Sequence, residues 1–416
     1  MAQLISVRTS TLAVVKKTAE GTLTKPTAGN QFLAIQPDIS FSPNFTTVEN
    51  PEIKNDIMAG QVAISGEEPS ATFSHLFKGS GTAGGAPAFG TLLESTFGTV
   101  RSQTADTPLA TGSTKSILKM SNSNANKVAK GDTLLIKGSG GTNELMPVSG
   151  VSGTDVSLAF DIPDAVVSSI GSSANVGAFT SYVPKSTDLP VFDLWHYLGG
   201  GTGGLETLQD GRTVSVAISA NAKENINGTY TLEGTAYRLN DTAQLRQPNN
   251  AFNSATNNYR PTVAPSFEQT APVISRNQRL YVGSTSGENV CLNAPSCSFS
   301  ITTPKTLLTS VCTPSGNFGT VINERTASMT VTTFLEENDA RFFKKFQDND
   351  KVSFFFAGGA KSGTNWTAGN CFGIYGSEAS ISAFSLSQVD NVWALEMTLQ
   401  CYSPGDGSGS IFVSFC

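Results

Sequence analysis

The chain has 416 residues, of which 14% are charged, and a formal net charge of −6. That charge content lies well below the roughly 25% of an ordinary soluble domain, so Ser, Thr, Asn and Gln must supply the polar surface. The length allows about two to three domains, no basic cluster forms a phosphate-gripping stripe, and no apolar run approaches the roughly 20 residues of a membrane span.

Residues 1–60 read as strands joined by turns, with Leu4–Val7, Leu12–Val15 and Phe32–Phe45 as the extended pieces. The opening MAQLISVRTSTLAVVKK lacks the basic start, sustained apolar stretch and cleavage site of a secretory leader, so synthesis in a cytosol is expected. An acidic, polar connector covers Val48–Ala59, a strand pair covers Gln61–Phe77, and Lys78–Gly85 is a Gly-rich loop. In Ala88–Phe97, the residues Phe89, Leu92, Leu93 and Phe97 fall on one helical face.

From about Arg101 the texture changes to short β runs separated by Gly turns. Thr133–Lys137 precedes Gly138-Ser139-Gly140-Gly141, and Pro147–Val151 and Asp155–Phe160 flank Ser152-Gly153. This block, 101–185, has no later counterpart and reads as a small β-barrel or sandwich inserted into the unit that residues 1–100 begin. Residues 186–241 resume that unit, with Thr213–Ala220 and Thr229–Leu239 flanking Asn227-Gly228. Residues 242–275, rich in Asn, Pro and Gln, read as a linker. In the last unit, 276–416, a helix is expected over Glu336–Phe346. Glu336 and Glu337 would lie in its first turn and Lys344 and Lys345 in its last, the order a helix macrodipole favours. Strands are expected over Lys351–Phe356, Phe372–Tyr375, Ser380–Leu386, Val392–Tyr402 and Ser410–Phe415.

The two units carry a trace of each other. TAGNQFLAIQPDISFS (27–42) and TSGENVCLNAPSCSFS (285–300) share six residues without a gap, Phe41 matching Phe299. Phe41 is followed 36 residues later by Phe77, and Phe299 by Phe334 after 35, each closing an alternating run that precedes a Phe-rich helical stretch. Self-similarity at a fixed period implies a repeated structural unit. Six cysteines lie in the last third, none in CxxC and none near a histidine, so they read as small buried hydrophobes and not as zinc ligands or disulfides.

Motifs of chemistry are weak. Gly79-Ser80-Gly81-Thr82-Ala83-Gly84 fits GxGxxG, but its surroundings are antiparallel and Pro87 interrupts the approach to the helix, so it reads as a flexible loop. Gly199–Gly204 lacks the Lys-Ser/Thr of a phosphate loop. His75 and His196, the two histidines, read as packed or surface residues, and no acid–base pair stands out. The sequons at Asn44, Asn227, Asn240 and Asn365 read as accidents of composition. No enzyme, cofactor or metal is expected.

The run FSPNFTTVENPEIKNDIMAGQVAISGEEPSATFSHLF with its Gly-rich loop and APAFGTLLESTF, from Phe41 to Phe97, resembles the major tail tube proteins of long, flexible-tailed bacteriophages. Ser298–Phe346 has a looser likeness, and the 101–185 block falls outside it. The resemblance implies a mainly β fold: two tandem tail-tube-like β-sandwich units, each with a flanking helix, plus the inserted small β domain. It further implies sheets joined edge to edge around a ring, and rings stacked into a tube through which DNA passes during ejection without sequence-specific binding. Duplication would let three chains supply six units, a trimer ring where a hexamer of single units is usual. By the same resemblance, the connectors Val48–Ala59 and about Ser310–Thr320 reach the neighbouring ring, giving Glu49, Glu52, Lys54, Asp56, Ser315 and Asn317 as inter-ring contacts. The partners implied are further copies, a tape measure protein and a tail terminator, in a virion tail assembled in the bacterial host cytoplasm. The inserted block would lie outside the tube, and the lumen wall would be acidic or neutral. The alternative is a carbohydrate- or receptor-binding β-sandwich of the tail, for which Trp366, in the loop Gly358–Asn370, is the best aromatic platform.

Overall fold

The computed structural model describes the chain except for residues 1–5, 18, 52–60, 139–140, 164–165, 167–173, 188, 200–203, 240–260, 284–290, 314–315, 337–339, 404 and 406–408. The fold is mainly β, with few helices and several sheets. The first half runs β1 (Thr11–Lys17), β2 (Phe32–Leu33), β3 (Ser40–Ser42), β4 (Phe45–Val48), β5 (Ala63–Glu67) and β6 (Ser70–Leu76). Then come α1 (Gly90–Phe97) and β7 (Gly98–Gln103). A separate sheet follows, formed by β8 (Thr107–Pro108), β9 (Ile117–Lys119), β10 (Thr133–Lys137), β11 (Asn143–Ser152), β12 (Asp155–Leu158) and β13 (Asn175–Val176), with a short α2 (Asn122–Ala125). The first half resumes with β14 (Phe179–Pro184), β15 (Val191–Leu198), β16 (Gly204–Asn221), β17 (Asn227–Glu233) and β18 (Ala236–Leu239). The second half runs β19 (Arg279–Gly283), β20 (Ser296–Thr302), β21 (Lys305–Thr309), β22 (Asn317–Ile322) and β23 (Thr326–Phe334). It ends with α3 (Ala340–Gln347), β24 (Val352–Ser362), β25 (Asn365–Val389), β26 (Val392–Cys401) and β27 (Ile411–Phe415).

The same strand connections occur in both halves. β3 pairs with β6, β6 with β17, and β17 with β16. In the second half β20 pairs with β23, β23 with β26, and β26 with β25. The registers correspond. Phe41 faces Ala71, Ala71 faces Leu232 and Leu232 faces Thr213. Phe299 faces Met329, Met329 faces Leu399 and Leu399 faces Ile381. One residue further on, each last strand has its register shift, between Thr213 and Ser215 in β16 and between Ile381 and Ala383 in β25. A β-bulge places one extra residue against the partner strand and sharpens the local twist. The hairpin β4–β5 interrupts β3 and β6 as β21–β22 interrupts β20 and β23. α1 follows β6 as α3 follows β23.

The halves join through β16 and β20, paired antiparallel from Ser215 opposite Thr302 to Asn221 opposite Ser296. One sheet thus runs β3–β6–β17–β16–β20–β23–β26–β25. Period-two alternation makes it two-faced: in β20 the buried residues are Cys297, Phe299 and Ile301, and the serines between them point outward. The buried face, with Phe73, Ile218, Tyr230, Phe299, Met329 and Leu399, forms one apolar core across both halves. α1 buries Leu92, Leu93 and Phe97 in it and ends at Gly98, whose φ of 96° is the left-handed cap.

The inserted sheet, ordered β8-β13-β10-β11-β12-β9, is smaller than the block 101–185, because β7 and β14 on either side of it pair with each other in the large sheet. It packs chiefly on the second half, with Phe179 of β14 also in its core and Arg101 of β7 bridging to Asp132 at 2.7 Å. Its core is continuous with Tyr281, Phe355, Trp366, Tyr375 and Phe412. The buried Glu144 Oε1 accepts the Trp366 indole N–H at 2.7 Å, and its other oxygen meets Arg279 at 2.9 Å. Of the expected linker, residues 261–275 are described and lie against the first half: the Val273 N–H donates to the Phe77 carbonyl, and the Ser266 N–H to that of Gly29.

Three expectations are corrected. Glu336 is not helical and precedes the last helix, described over Ala340–Gln347, and Glu337 lies outside the described residues; Leu335 still follows β23, its N–H donating to the Trp393 carbonyl. The Gly79–Gly84 loop is docked, not free: the Gly81 N–H donates to the Gly369 carbonyl at 2.8 Å and the Gly79 N–H to Asn370 Oδ1 at 3.0 Å. Four cysteines are buried as expected, but Cys291 and Cys312 are exposed.

Candidate assembly surfaces

The outward face of the long sheet is lined by hydroxyls. Across its strands the facing residues form rows such as Ser74, Thr229, Ala217, Ser300, Ser328, Gln400 and Ser380. The next row holds Asn227, Ser219, Ser298, Thr330, Thr398 and Ala383. Neighbouring hydroxyls bond to one another, Ser74 to Thr229 at 2.9 Å and Thr72 to Thr231 at 3.2 Å. Among the described residues Glu233, which meets Lys305 at 3.7 Å, and Glu396 are acids of this face. Arg212, at its margin, is turned away to Glu20, Thr320 and the Leu189 carbonyl. Alternating Ser and Thr produce this surface directly, because each hydroxyl residue sits between two core residues.

Both ends of the sheet are open. Among the described residues, β3 has β6 as its strand partner, and β25 beyond Ile381 has β26. At the β25 end the core face is uncovered. Val216 and Ile218 of β16 are 0% and 1% exposed; the matching residues of β25 are Phe384, partly buried, and Leu386, 57% exposed. Phe343 and Phe346 of α3, 45% and 36% exposed, pack on Phe384 with ring centres 5.4 and 6.1 Å away, the first tilted and the second stacked. Trp393, on the same face as Leu395, extends this patch at 55% exposed.

The hairpins β4–β5 and β21–β22 stand side by side. Asn317 is 9% exposed and its side-chain amide donates to the Glu67 carbonyl at 2.6 Å. Glu49, just beyond β4, is exposed; Glu52, Lys54, Asp56 and Ser315 lie outside the described residues. The hairpins also expose Phe45, Val48, Ile64, Val311 and Phe318, with Ile64 at 67% and Phe318 at 70%. Reading the connectors for charge passed over these residues. The signal for them was apolar side chains within short polar segments.

The residues weighed for chemistry are built into the fold. His75 stacks against Phe77, Phe89 and Tyr230, and burial lowers its pKa to about 4. His196 Nδ1 meets Glu206 at 2.9 Å and its ring stacks on Phe41. Trp366 lies in β25, 3% exposed beneath Lys361 and the inserted sheet, so it offers no platform to a sugar. Asp193 and Asp210 share the buried Lys17 ammonium; desolvation outweighs that cation and raises Asp193 to about 6. Among the described residues no group of three or more His, Cys, Asp or Glu side chains could hold a metal, and no helix is long and apolar enough to cross a membrane.

No family model matches the chain, and no curated protein matches it. Among solved structures, it is similar to a chain in the tail of an empty gene transfer agent particle, refined helically with C6 symmetry, at 14% identity and a TM-score of 0.24. That match covers 34% of this chain and 96% of the other. A chain in the virion of a native gene transfer agent particle matches at 13% identity and a TM-score of 0.23, covering 30% of this chain and 92% of its own.

Proposed function

We propose that the chain is a structural subunit of a phage-type tail tube, two tube-like units made by tandem duplication, three copies of which close a ring. The carrying observation is the recurrence of one strand plan, down to the position of the bulge, in halves that already join edge to edge through β16 and β20. An open sheet edge is a template for pairing with another chain, and closure into a ring removes it. A head-to-tail contact between unlike edges generates a ring when its rotation closes.

In this reading the hydroxyl face lines the lumen. DNA is gripped by Lys and Arg that displace counterions; a wall of Ser and Thr with scattered Glu offers hydration and no grip, as a conduit for DNA needs. The paired hairpins, with Glu49 and the connector residues Glu52, Lys54, Asp56 and Ser315, meet the next ring. The inserted sheet lies outside, the tape measure protein occupies the lumen before DNA, and a tail terminator ends the stack. The chain is assembled in the host cytoplasm, is carried in the virion tail and performs no catalysis.

Electron microscopy of the purified protein at rising concentration tests this. Tubes or stacked rings with three chains per ring are the expected result. Six chains per ring would keep the tube and end the duplication argument. Dispersed monomers, even with other tail components added, would overturn the assembly reading.

A further inference from the structure

The geometry points to a specific seam between copies: the outer edge of β25 pairs antiparallel with β3 of a second copy, Leu386 facing that copy's Phe41. This rests on the ring reading and supplies its contact. The template is the seam inside the chain. There Ile218 faces Phe299, Ser219 faces Ser298 and Ala217 faces Ser300. The recurring registers match Ile218 to Leu386, Ser219 to Ser387 and Ala217 to Ser385. They likewise match Phe299 to Phe41, Ser298 to Ser40 and Ser300 to Ser42. Carrying the internal seam outward sets Ser387 opposite Ser40, Leu386 opposite Phe41 and Ser385 opposite Ser42.

Three features of the chain fit this occupant. First, the strand edges are open where the pairing requires it, and Pro43 follows β3 directly, so this seam ends at Ser42 where the internal one continues to Thr302. Pro brings no N–H to a ladder. Second, the alternation agrees on both sides: Ser385 and Ser387 share a face with Ser40 and Ser42, and Leu386 shares the opposite face with Phe41. A shift of one residue would put hydroxyls into the apolar layer and Leu386 on the hydroxyl face. Third, the uncovered patch of Phe343, Phe346, Phe384 and Leu386 lies beside this edge, where the internal seam buries Val216 and Ile218. A second copy seated on β25 covers it as the second half covers β16.

Cross-linking tests the register. Opposed residues in an antiparallel pair have Cα atoms about 4.5–5.5 Å apart, within disulfide range. With the exposed Cys291 and Cys312 changed to Ser, a chain carrying Ser40→Cys and Ser387→Cys is oxidised and run on a non-reducing gel. Both changes are close to isosteric. The expected result is a ladder ending at three chains, and at least tenfold less product from the control Ser42→Cys with Ser387→Cys, which is two residues out of register. Tubes in the microscope with no ladder, or with more product from the control, would overturn this seam and leave the tube reading standing. Monomers alone, by both methods, would overturn both.

Discussion

Ile218 and Leu386 occupy matching positions, each three residues past the first pair beyond the bulge (Ser215 and Ala383), yet one is 1% and the other 57% exposed. Replacing each by Ala measures what covers it. Ile218→Ala removes three carbons, about 2.4 kcal/mol of transfer free energy at roughly 0.8 kcal/mol each. The cavity left in a packed core brings the cost to about 2–5 kcal/mol. Leu386→Ala removes the same number of carbons, but less than half of the side chain is out of water. That leaves about 1 kcal/mol and no cavity. The assay is urea unfolding of dilute protein, verified as monomeric by gel filtration, comparing midpoints at a common slope. In assembled material the order changes. The rest of the Leu386 transfer term, about 1.4 kcal/mol, then acts at each contact between copies and weakens it about tenfold. If Leu386→Ala shifts the monomer's midpoint as far as Ile218→Ala, β25 is covered within the chain and the open-edge reasoning fails.

Three further outcomes follow from the buried groups and the tight approaches. His75 is neutral in the fold with its pKa lowered from 6.5 to about 4, so its contribution is fully present above 6.5 and lost as pH falls towards 4. At about 1.36 kcal/mol per unit the loss reaches about 3 kcal/mol. His75→Phe should flatten the fall of the thermal midpoint across that window, and an unchanged fall would show that other groups set it. Ellman's reagent should titrate two thiols, Cys291 and Cys312, in the native protein and all six in denaturant; more than two would contradict the burial of Cys297, Cys371, Cys401 and Cys416. Gly79→Ala would drive a methyl group into the Gly369 carbonyl, so a loss of about 1–3 kcal/mol is expected. Unaltered thermal stability would show that the loop is not docked as described.

The parts of the fold legible in the sequence were those written in local alternation. Phe41 and Phe299 stood out because serines flank both and a period of two marks a half-buried strand. Phe89, Leu92, Leu93 and Phe97 marked α1 in the same way, through helical spacing. What remained hidden depends on distant partners. The density of Gly and Asn around Trp366 reads as a loop, but β24 and β25 run through it, and Trp366 is covered by Glu144, more than two hundred residues earlier in the chain. Glu336 fitted the start of a helix by charge, yet Leu335 is still hydrogen-bonded to Trp393, so Glu336 lies before the helix. The seam between β16 and β20 could not be read at all, since serine-alternating strands suit many neighbours and only the assembled core selects one. At the hairpins, attention to charge found Glu49 and passed over Phe318, because an exposed apolar residue looks like a core residue until its surroundings are known.

The seam between β16 and β20 also bears on how quickly such a structure can begin. Its two strands belong to one polypeptide, so they meet at an effective concentration on the order of millimolar. They also avoid the roughly 4–15 kcal/mol of translational and rotational freedom lost when separate molecules associate. In a ring of three copies, every second seam is therefore complete before any encounter takes place. Nucleation becomes a three-body problem where single units would present a six-body one, and its rate falls far less steeply as subunits become scarce. In the proposed ring of three, carrying both halves in one chain thus changes the kinetic order of assembly without requiring any single contact to be stronger.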